Sequence, residues 1–391
     1  MSRTHKILVV DDEPDLQPLV LQRMRREIRK NVYDFSFANN GVEALDQLSM
    51  DDDIDIVLSD INMPEMDGLT LLEQIPSVNP NIRSVIVSAY GDMKNIRQAM
   101  NRGAFDFVTK PIDFADLRTT IERTARHLEL WREALAARDN LTAISRELGI
   151  ASQMQRSILP KRFPRGSNFA ITAMMKAARN VGGDFFDIVP LSNKRYGISV
   201  ADVSDKGVPA AMFMMSSRTL LKGAAIGKEK PTDVLKEVNQ LLMEDNEAGM
   251  FVTMIYGIFD PQNGLFEYSL GGHNPLLLQK PNGTAEYLSA NSGIALGMFN
   301  QIEFQSNTIK MNPGEKIIIY TDGITEAMNN KMELYSEDRL ARIVAANPNL
   351  GVDELSQKII QSVEEFTGEE AQTDDITCVI LSFDGYSQGK L

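Results

Sequence analysis

The sequence predicts two domains of different class, a doubly wound α/β domain followed by an α+β layered domain, joined by a long helix. Three observations carry that expectation. Residues 1 to 125 alternate short apolar runs with helical patterns, residues 121 to 158 read as one helix almost without turn signals, and the remainder is rich in β-like runs divided by turn formers. A chain of 391 residues with 43% hydrophobic content has the material for two cores.

In the first domain, 1–125, the apolar runs are KILVV (6–10), DIVLS (55–59), RSVIVS (83–88) and FDFVTK (105–110). Such continuous runs suit parallel strands buried on both faces. Helical patterns fall at 14–29, 41–50, 68–75 and 92–102, giving a repeated strand-helix unit of flavodoxin-like type. Asp51, Asp52 and Asp53 lie between a helix and a strand and read as a solvated turn. The polar residues at the strand ends are Asp11 and Asp12, then Asp60, Ser88 and Lys110. In an open parallel sheet, that edge is where ligands bind. Three carboxylates there hold one Mg²⁺, a lysine pairs with phosphoryl oxygens, and Asp60 is placed as a carboxylate nucleophile for in-line attack. Singly, Asp-Asp is a common helix cap, Ser88 a loop hydroxyl and Phe107 a core ring. Their coincidence at successive strand ends favours a phosphoryl acceptor.

The segments VVDDE, LSDINMPEMDG, VSA and FVTKP resemble response-regulator receiver domains, over essentially all of 1–125. The resemblance implies that Asp60 is phosphorylated by a partner sensor histidine kinase and that Asp11, Asp12, Asp60 and the Asn62 carbonyl hold Mg²⁺. It also implies that Ser88 and Phe107 change rotamer on phosphorylation.

Residues 126–160 form the expected helical linker. Thr124, Leu128, Trp131 and Leu135 recur at three-four spacing, and Leu141, Ile144, Leu148, Ala151 and Ile158 continue in a shifted register. That seam suits either a coiled coil pairing two chains or an amphipathic helix packed on one domain, and its length does not decide between them. Pro160 and Pro164 end it. A helix joining a phosphorylatable switch to a second domain is an expected route for control.

The second domain, 161–391, has β-like runs at 196–202, 251–260, 265–270, 275–279, 316–322 and 376–383, with a hairpin turn at Asp260 to Gly264 and helical stretches at 208–223, 232–245, 336–346 and 352–366. Four segments set an aspartate in a turn beside an apolar run: VGGDFFD (181–187), ADVSDKG (201–207), YTDG (320–323) and TDDIT (373–377). Asp184, Asp202, Asp322 and Asp374 are expected to form one site. Carboxylates so gathered repel unless a cation neutralises them, and a hard divalent ion, Mg²⁺ or Mn²⁺, is the usual partner. Two such ions about 3.5 to 4 Å apart make hydroxide available for attack on phosphorus. Arg179 carries a guanidinium suited to bidentate capture of a phosphoryl group. The single Cys378 lies in an apolar run followed by VIL, which removes a thiol route and any disulfide. The methionines of AMFMMSS (211–217) read as core.

LGIASQMQRSILP, ARNVGGDFFD, ADVSDKGVPAAM, GGHNP, YTDGITEA and TDDIT resemble the metal-dependent, protein phosphatase 2C-like family, in particular its bacterial sigma-regulator or SpoIIE-like subgroup, over about 148–385. The resemblance implies that Asp202 bridges two Mn²⁺ or Mg²⁺, that Val203 offers a carbonyl, that Asp322 and Asp374 complete one ion, that Asp184 orders water on the other, and that Arg179 takes the substrate phosphate. Many eukaryotic relatives have a histidine beside the bridging aspartate; this chain has Val203, Ser204 and Asp205, which leaves the proton donor unassigned. His273 in GGHNP reads as a loop histidine fixing a turn, and Asp375 as an alternative to Asp374.

A net charge of −14 opposes general attraction to nucleic acid or an anionic membrane, and no stretch approaches the roughly 20 apolar residues of a membrane span, so a cytoplasmic protein is expected. The two resemblances together imply a response regulator whose output is a serine/threonine phosphatase. Its implied substrate is a phosphorylated anti-sigma-factor antagonist of the STAS type. The alternative is a non-catalytic adaptor that binds a sigma factor under receiver control.

Overall fold

The computed structural model describes residues 3–89, 91–244 and 246–385. Asp245, the last residue of the predicted helix 232–245, lies outside them. The chain divides into two compact units, Met1–Ala143 and Ile144–Leu391.

The first unit runs β1 (His5–Val10), α1 (Leu16–Arg23), α2 (Arg25–Arg29), β2 (Tyr33–Ala38), α3 (Gly41–Met50), β3 (Ile54–Asp60), α4 (Gly68–Val78), β4 (Arg83–Ala89), α5 (Met93–Asn101), β5 (Asp106–Lys110) and α6 (Phe114–Ile158). Its sheet has the order β2-β1-β3-β4-β5 with parallel pairings throughout. Alternate residues of each central strand face opposite cores: Ile7 and Val9 join one, Leu8 and Val10 the other. That two-sided burial explains the unbroken apolar runs. β2, YDFSFA, alternates polar and apolar residues at the sheet edge, which is why no continuous run marks it. The predicted helix 14–29 is two helices that break at Met24, where the backbone leaves helical geometry (φ −98°, ψ 8°) while the side chain is fully buried. No glycine or proline marks that break.

α6 is 45 residues long and continues through Gly149. Leu117, Ile121, Ala125 and Leu128, spaced by three and four, pack into the core below the sheet. Arg132 on the next turn reaches the buried Asp55 at 2.6 Å, and Trp131 lies under the Arg83 guanidinium at 5.6 Å. Leu141 and Ile144 beyond them are exposed.

The second unit contains β6 (Phe169–Lys176), β7 (Phe185–Pro190), β8 (Tyr196–Val203), α7 (Val208–Ala224), α8 (Pro231–Glu244), β9 (Val252–Asp260), β10 (Leu265–Gly271), β11 (Leu277–Gln279), β12 (Ala285–Tyr287), β13 (Ser292–Gly293), β14 (Asn307–Lys310), β15 (Glu315–Tyr320), α9 (Asp322–Thr325), α10 (Glu337–Ala345), α11 (Val352–Thr367) and β16 (Ile376–Phe383). One sheet runs β13-β10-β9-β8-β7 with β14 on β10; the other runs β12-β11-β15-β16-β6. The period of two along each strand builds three layers of core. Val379 and Leu381 face the opposite sheet, where Ile198, Val200, Ile255 and Phe259 meet them, whereas Cys378 and Ile380 face α10 and α11. Ala201, Val203 and Met254 face α7 and α8. The result is two sheets face to face with helices outside, an α+β layered domain as expected.

α7 corrects one reading of the methionines. Ala210, Ala211, Met214, Ser217 and Leu221 turn inward at helical spacing, but Met212 is 66% exposed and Met215 37%, because they lie on the opposite side of the same helix. No helix among the described residues is long and apolar enough to cross a membrane.

Candidate functional site: two carboxylate clusters

The first unit gathers its acidic residues at the C-terminal edge of the sheet. Ligand atoms of Asp11, Asp12 and Asp60 all lie within 4.8 Å of one another, the closest such grouping among the described residues. Lys110, closing β5, places its Nζ 2.8 Å from Asp60 Oδ2, 2.9 Å from Asp11 Oδ2 and 3.0 Å from Glu13 Oε1. Burial opposes the lysine charge, yet the three hydrogen-bonded carboxylates outweigh it and hold Lys110 above the usual lysine range. Burial raises Asp11. Ser88, the penultimate residue of β4, is buried and its Oγ has no hydrogen-bond partner, while Phe107 is 38% exposed on β5. Asn62, two residues beyond Asp60, is exposed. Three oxygen donors around a lysine fit a hard divalent ion, and the orphan hydroxyl provides a donor for an arriving anion.

In the second unit the chain order is scattered but the strand ends converge. Asp184 immediately precedes β7, Asp202 is the penultimate residue of β8, Asp322 opens α9 after β15, and Asp374 stands two residues before β16. Asp184 is 1% exposed, and burial together with the Asp202 charge holds its carboxyl well above the usual range. Burial and the charge of Asp322, then of Asp374, raise Asp202; burial and the charges of Glu326 and Asp374 raise Asp322. The four therefore share one electrostatic neighbourhood. They do not close into a triplet within 4.8 Å, the spacing that Asp11, Asp12 and Asp60 reach. Repulsion is one reason. Competing partners are the other: Thr321 Oγ1 donates to Asp184 Oδ2 at 2.7 Å, and Lys206 Nζ pairs with Asp374 Oδ2 at 2.9 Å and donates to the Thr373 carbonyl at 2.8 Å. Among the described residues no cationic side chain forms an ion pair with Asp184, Asp202 or Asp322. An all-oxygen donor set with that deficit of positive charge fits divalent metal.

Asp375 does different work from its neighbour. Its Oδ1 accepts from the Ala178 amide at 2.8 Å, and its Oδ2 from the Gly183 amide at 2.6 Å and the Asp184 amide at 3.4 Å. Both oxygens are thus committed to the loop that carries Asp184. Two glycines leave room for Asp375: a Cβ on Gly182 would stand 2.4 Å from its Oδ2, and one on Gly323 would stand 1.9 Å from its main-chain carbonyl oxygen. Arg179 is exposed, with its Nη1 3.6 Å from where a Cβ on Gly207 would lie, which puts it beside the loop after Asp202. Val203 is buried at the end of β8, and its carbonyl faces Gly183.

His273 is buried, its Nδ1 3.1 Å from Thr253 Oγ1, and Thr253 pairs with Asp202 across β8 and β9. Burial pushes its imidazole down to about 4. The Cys378 thiol is likewise buried and pushed up to about 12, an inert group. Sequence reasoning missed Thr321, Lys206 and Gln155. All three stand inside quoted motifs, YTDG, ADVSDKG and LGIASQMQRSILP, whose spacing does not show what each side chain touches.

Comparison with known proteins agrees with this division. Residues 7–122 match the family model described as "Response regulator receiver domain", and residues 192–384 match "Stage II sporulation protein E (SpoIIE)". The class so defined is a response regulator receiver domain followed by a SpoIIE domain of the protein phosphatase 2C type. Among curated relatives, Protein IcfG of Synechocystis sp. is 30% identical over 266 residues, covering 60% of this chain and 41% of IcfG. Phosphoserine phosphatase RsbU of Bacillus subtilis is 25% identical over 238 residues, covering 61% of this chain and 70% of RsbU. The solved SiaA-PP2C domain of Pseudomonas aeruginosa, at 22% identity, shares the fold with a TM-score of 0.56, covering 63% of this chain and 99% of that one.

Proposed function

We propose that this chain is a receiver-controlled, metal-dependent phosphoserine/phosphothreonine protein phosphatase. The observation that carries the reading is the set of Asp184, Asp202, Asp322 and Asp374 on converging strand ends, three of them held above the carboxylate range and without a cationic partner among the described residues. The similarity to a phosphoserine phosphatase supports it. Mn²⁺ or Mg²⁺ held by these carboxylates, with the Val203 carbonyl, supplies an activated water and neutralises charge at phosphorus. Arg179 binds the phosphoryl oxygens, Thr321 fixes the Asp184 carboxylate, and Asp375 fixes the loop around it.

In the receiver, Asp60 accepts a phosphoryl group from a sensor histidine kinase, with Mg²⁺ on Asp11, Asp12, Asp60 and the Asn62 carbonyl. Lys110 pairs with the incoming group, and Ser88 and Phe107 respond to it. The substrate is a phosphorylated anti-sigma-factor antagonist of the STAS type, and two chains pair along the exposed seam of Leu141 and Ile144. The test is Mn²⁺-dependent release of phosphate from a phosphoserine protein by the full chain. Release that chelation abolishes and that Asp322→Asn reduces at least about a hundredfold, the order seen when one charge-stabilising group is lost, supports the enzyme. No release with retained binding of a sigma factor establishes the adaptor instead.

A further inference from the structure

Lys206 lies in the turn between β8 and α7, between Asp205 and Gly207, both at positive φ (67° and 82°). Its side chain crosses to the loop before β16, where Nζ donates to the Thr373 carbonyl at 2.8 Å and pairs with Asp374 Oδ2 at 2.9 Å. The other oxygen of that carboxylate is already engaged, since Asp374 Oδ1 accepts from the Asp375 amide at 2.9 Å. Oδ2 is therefore the oxygen left for a cation, and the ammonium sits on it. The same charge reaches Asp322: burial and the charges of Glu326 and Asp374 raise that carboxyl, and Lys206 opposes them. Among the described residues, Lys206 is the one cationic side chain paired with any of the four aspartates.

An ammonium and a divalent ion on one carboxylate oxygen repel strongly, because so short a distance separates them. Which of the two yields follows from their bonds: a hard divalent ion gathers several carboxylates at once, whereas the ammonium holds one carboxylate and one carbonyl. The lysine leaves at small cost. It is a point charge on a flexible stem, its side chain is 41% exposed, and water replaces the contacts it gives up. A group that served only to orient Asp374 would hold the oxygen turned away from the ion. The Asp375 amide already does that.

We propose that Lys206 is a built-in competitor for the divalent cation, its ammonium neutralising Asp374 and the neighbouring Asp322 and giving way when the ion binds. This rests on the phosphatase reading and adds to it the residue against which the ion competes. Without the ion, the lysine limits the mutual repulsion of the carboxylates. Its release also unties the turn after Asp202 from the loop before β16, because the same ammonium bonds the Thr373 carbonyl.

The test is Mn²⁺ binding to the full chain, followed by the loss of free-ion EPR signal, together with melting temperatures in chelator and in saturating Mn²⁺. Lys206→Met keeps most of the stem and removes the charge, and Lys206→Gln is neutral but keeps a donor for the Thr373 carbonyl. Lys222→Met, at an exposed position of α7, makes the same change of net charge elsewhere. Expected are one ion bound about tenfold more tightly in both Lys206 variants, the equivalent of 1.4 kcal/mol, an unchanged number of ions at saturation, and affinity within twofold of wild type for Lys222→Met. Both Lys206 variants melt below wild type in chelator, and Mn²⁺ raises their melting temperature by more than it raises that of wild type. Weaker binding in the Lys206 variants would mean that the lysine orients Asp374 for the ion. That result, affinities within twofold of wild type, or equal tightening in Lys222→Met overturns the proposal. So does failure of both Lys206 variants to fold in saturating Mn²⁺, because the ion is to take over the charge of the lysine. These outcomes leave the phosphatase reading standing where wild type binds Mn²⁺ at a site removed by Asp322→Asn, and wild type without such a site overturns both.

Discussion

Asp374 and Asp375 are chemically identical neighbours with opposite duties. Asp374 Oδ2 faces Lys206, whereas both oxygens of Asp375 are filled by amides of residues 178, 183 and 184. Asp375→Ala is expected to leave those amides unpaired and to destabilise the second unit by about 2–4 kcal/mol, given about 1–3 kcal/mol for each buried group left unsatisfied. A lowered urea midpoint in the absence of metal checks it, and an unchanged midpoint refutes it. The sequence shows the TDD pair and the glycines of VGGD and TDG but not their relation. The reason Gly182 and Gly323 lack side chains is the approach of Asp375 from some 190 and 50 residues away along the chain, a contact that no local pattern encodes.

Among the elements, α6 shows most clearly what periodicity conveys and what it omits. Its three-four spacing predicts a helix, and its length and direction into the receiver core follow from Leu117, Ile121, Ala125 and Leu128. The polar network at the far end of the sheet does not follow from any spacing. His5 Nδ1 meets Asp55 Oδ2 at 3.1 Å, His5 Nε2 meets Glu129 Oε1 at 3.3 Å, and Arg132 and Arg3 pair with Asp55 at 2.6 and 3.7 Å. The hydrogen bond to Asp55, then its charge and those of Glu129, hold the His5 imidazole above its ordinary value against the effect of burial. A folded value raised above the unfolded one of about 6.5 means that the stabilisation is complete below that pH and is lost as pH rises through the folded value. The first unit is therefore expected to lose stability from about pH 6.5 upward through that window. His5→Gln should flatten the slope. Trp131, the one tryptophan of the chain, sits on α6 beside this network and reports the transition in denaturant titrations at several pH values. Equal slopes for wild type and His5→Gln would refute the coupling.

For the whole molecule, the proposed phosphoryl-acceptor site and the proposed phosphatase site on one chain predict that phosphate release responds to a phosphodonor. Asp60→Asn removes the carboxylate that Lys110 and the acidic pair surround. It is expected to abolish the difference in phosphate release with and without acetyl phosphate, whichever direction that difference takes in wild type. A response of equal size in Asp60→Asn would show that the donor acts elsewhere. The two domain classes were legible because strand-like runs alternate with helical patterns in the first and follow one another through turn formers in the second, while the central strands of both are buried on both faces. β2, β6, β7, β12 and β13, all at sheet edges, and the four-residue β14 escaped.

Taken alone, the sequence determined what is local: the periods of helix and strand, the turns that end them, and the acidic residues those turns present, since each depends on neighbours a few positions away. Tertiary structure decided what depends on distance through space. It placed Lys206 on Asp374 and Thr321 on Asp184, set Asp375 apart from Asp374, broke the first helix at a buried methionine, and brought Gln155 to Gly182. Hydrogen bonds and ion pairs between residues dozens to hundreds of positions apart exist only once packing has fixed the backbone, and no pattern along the chain records them.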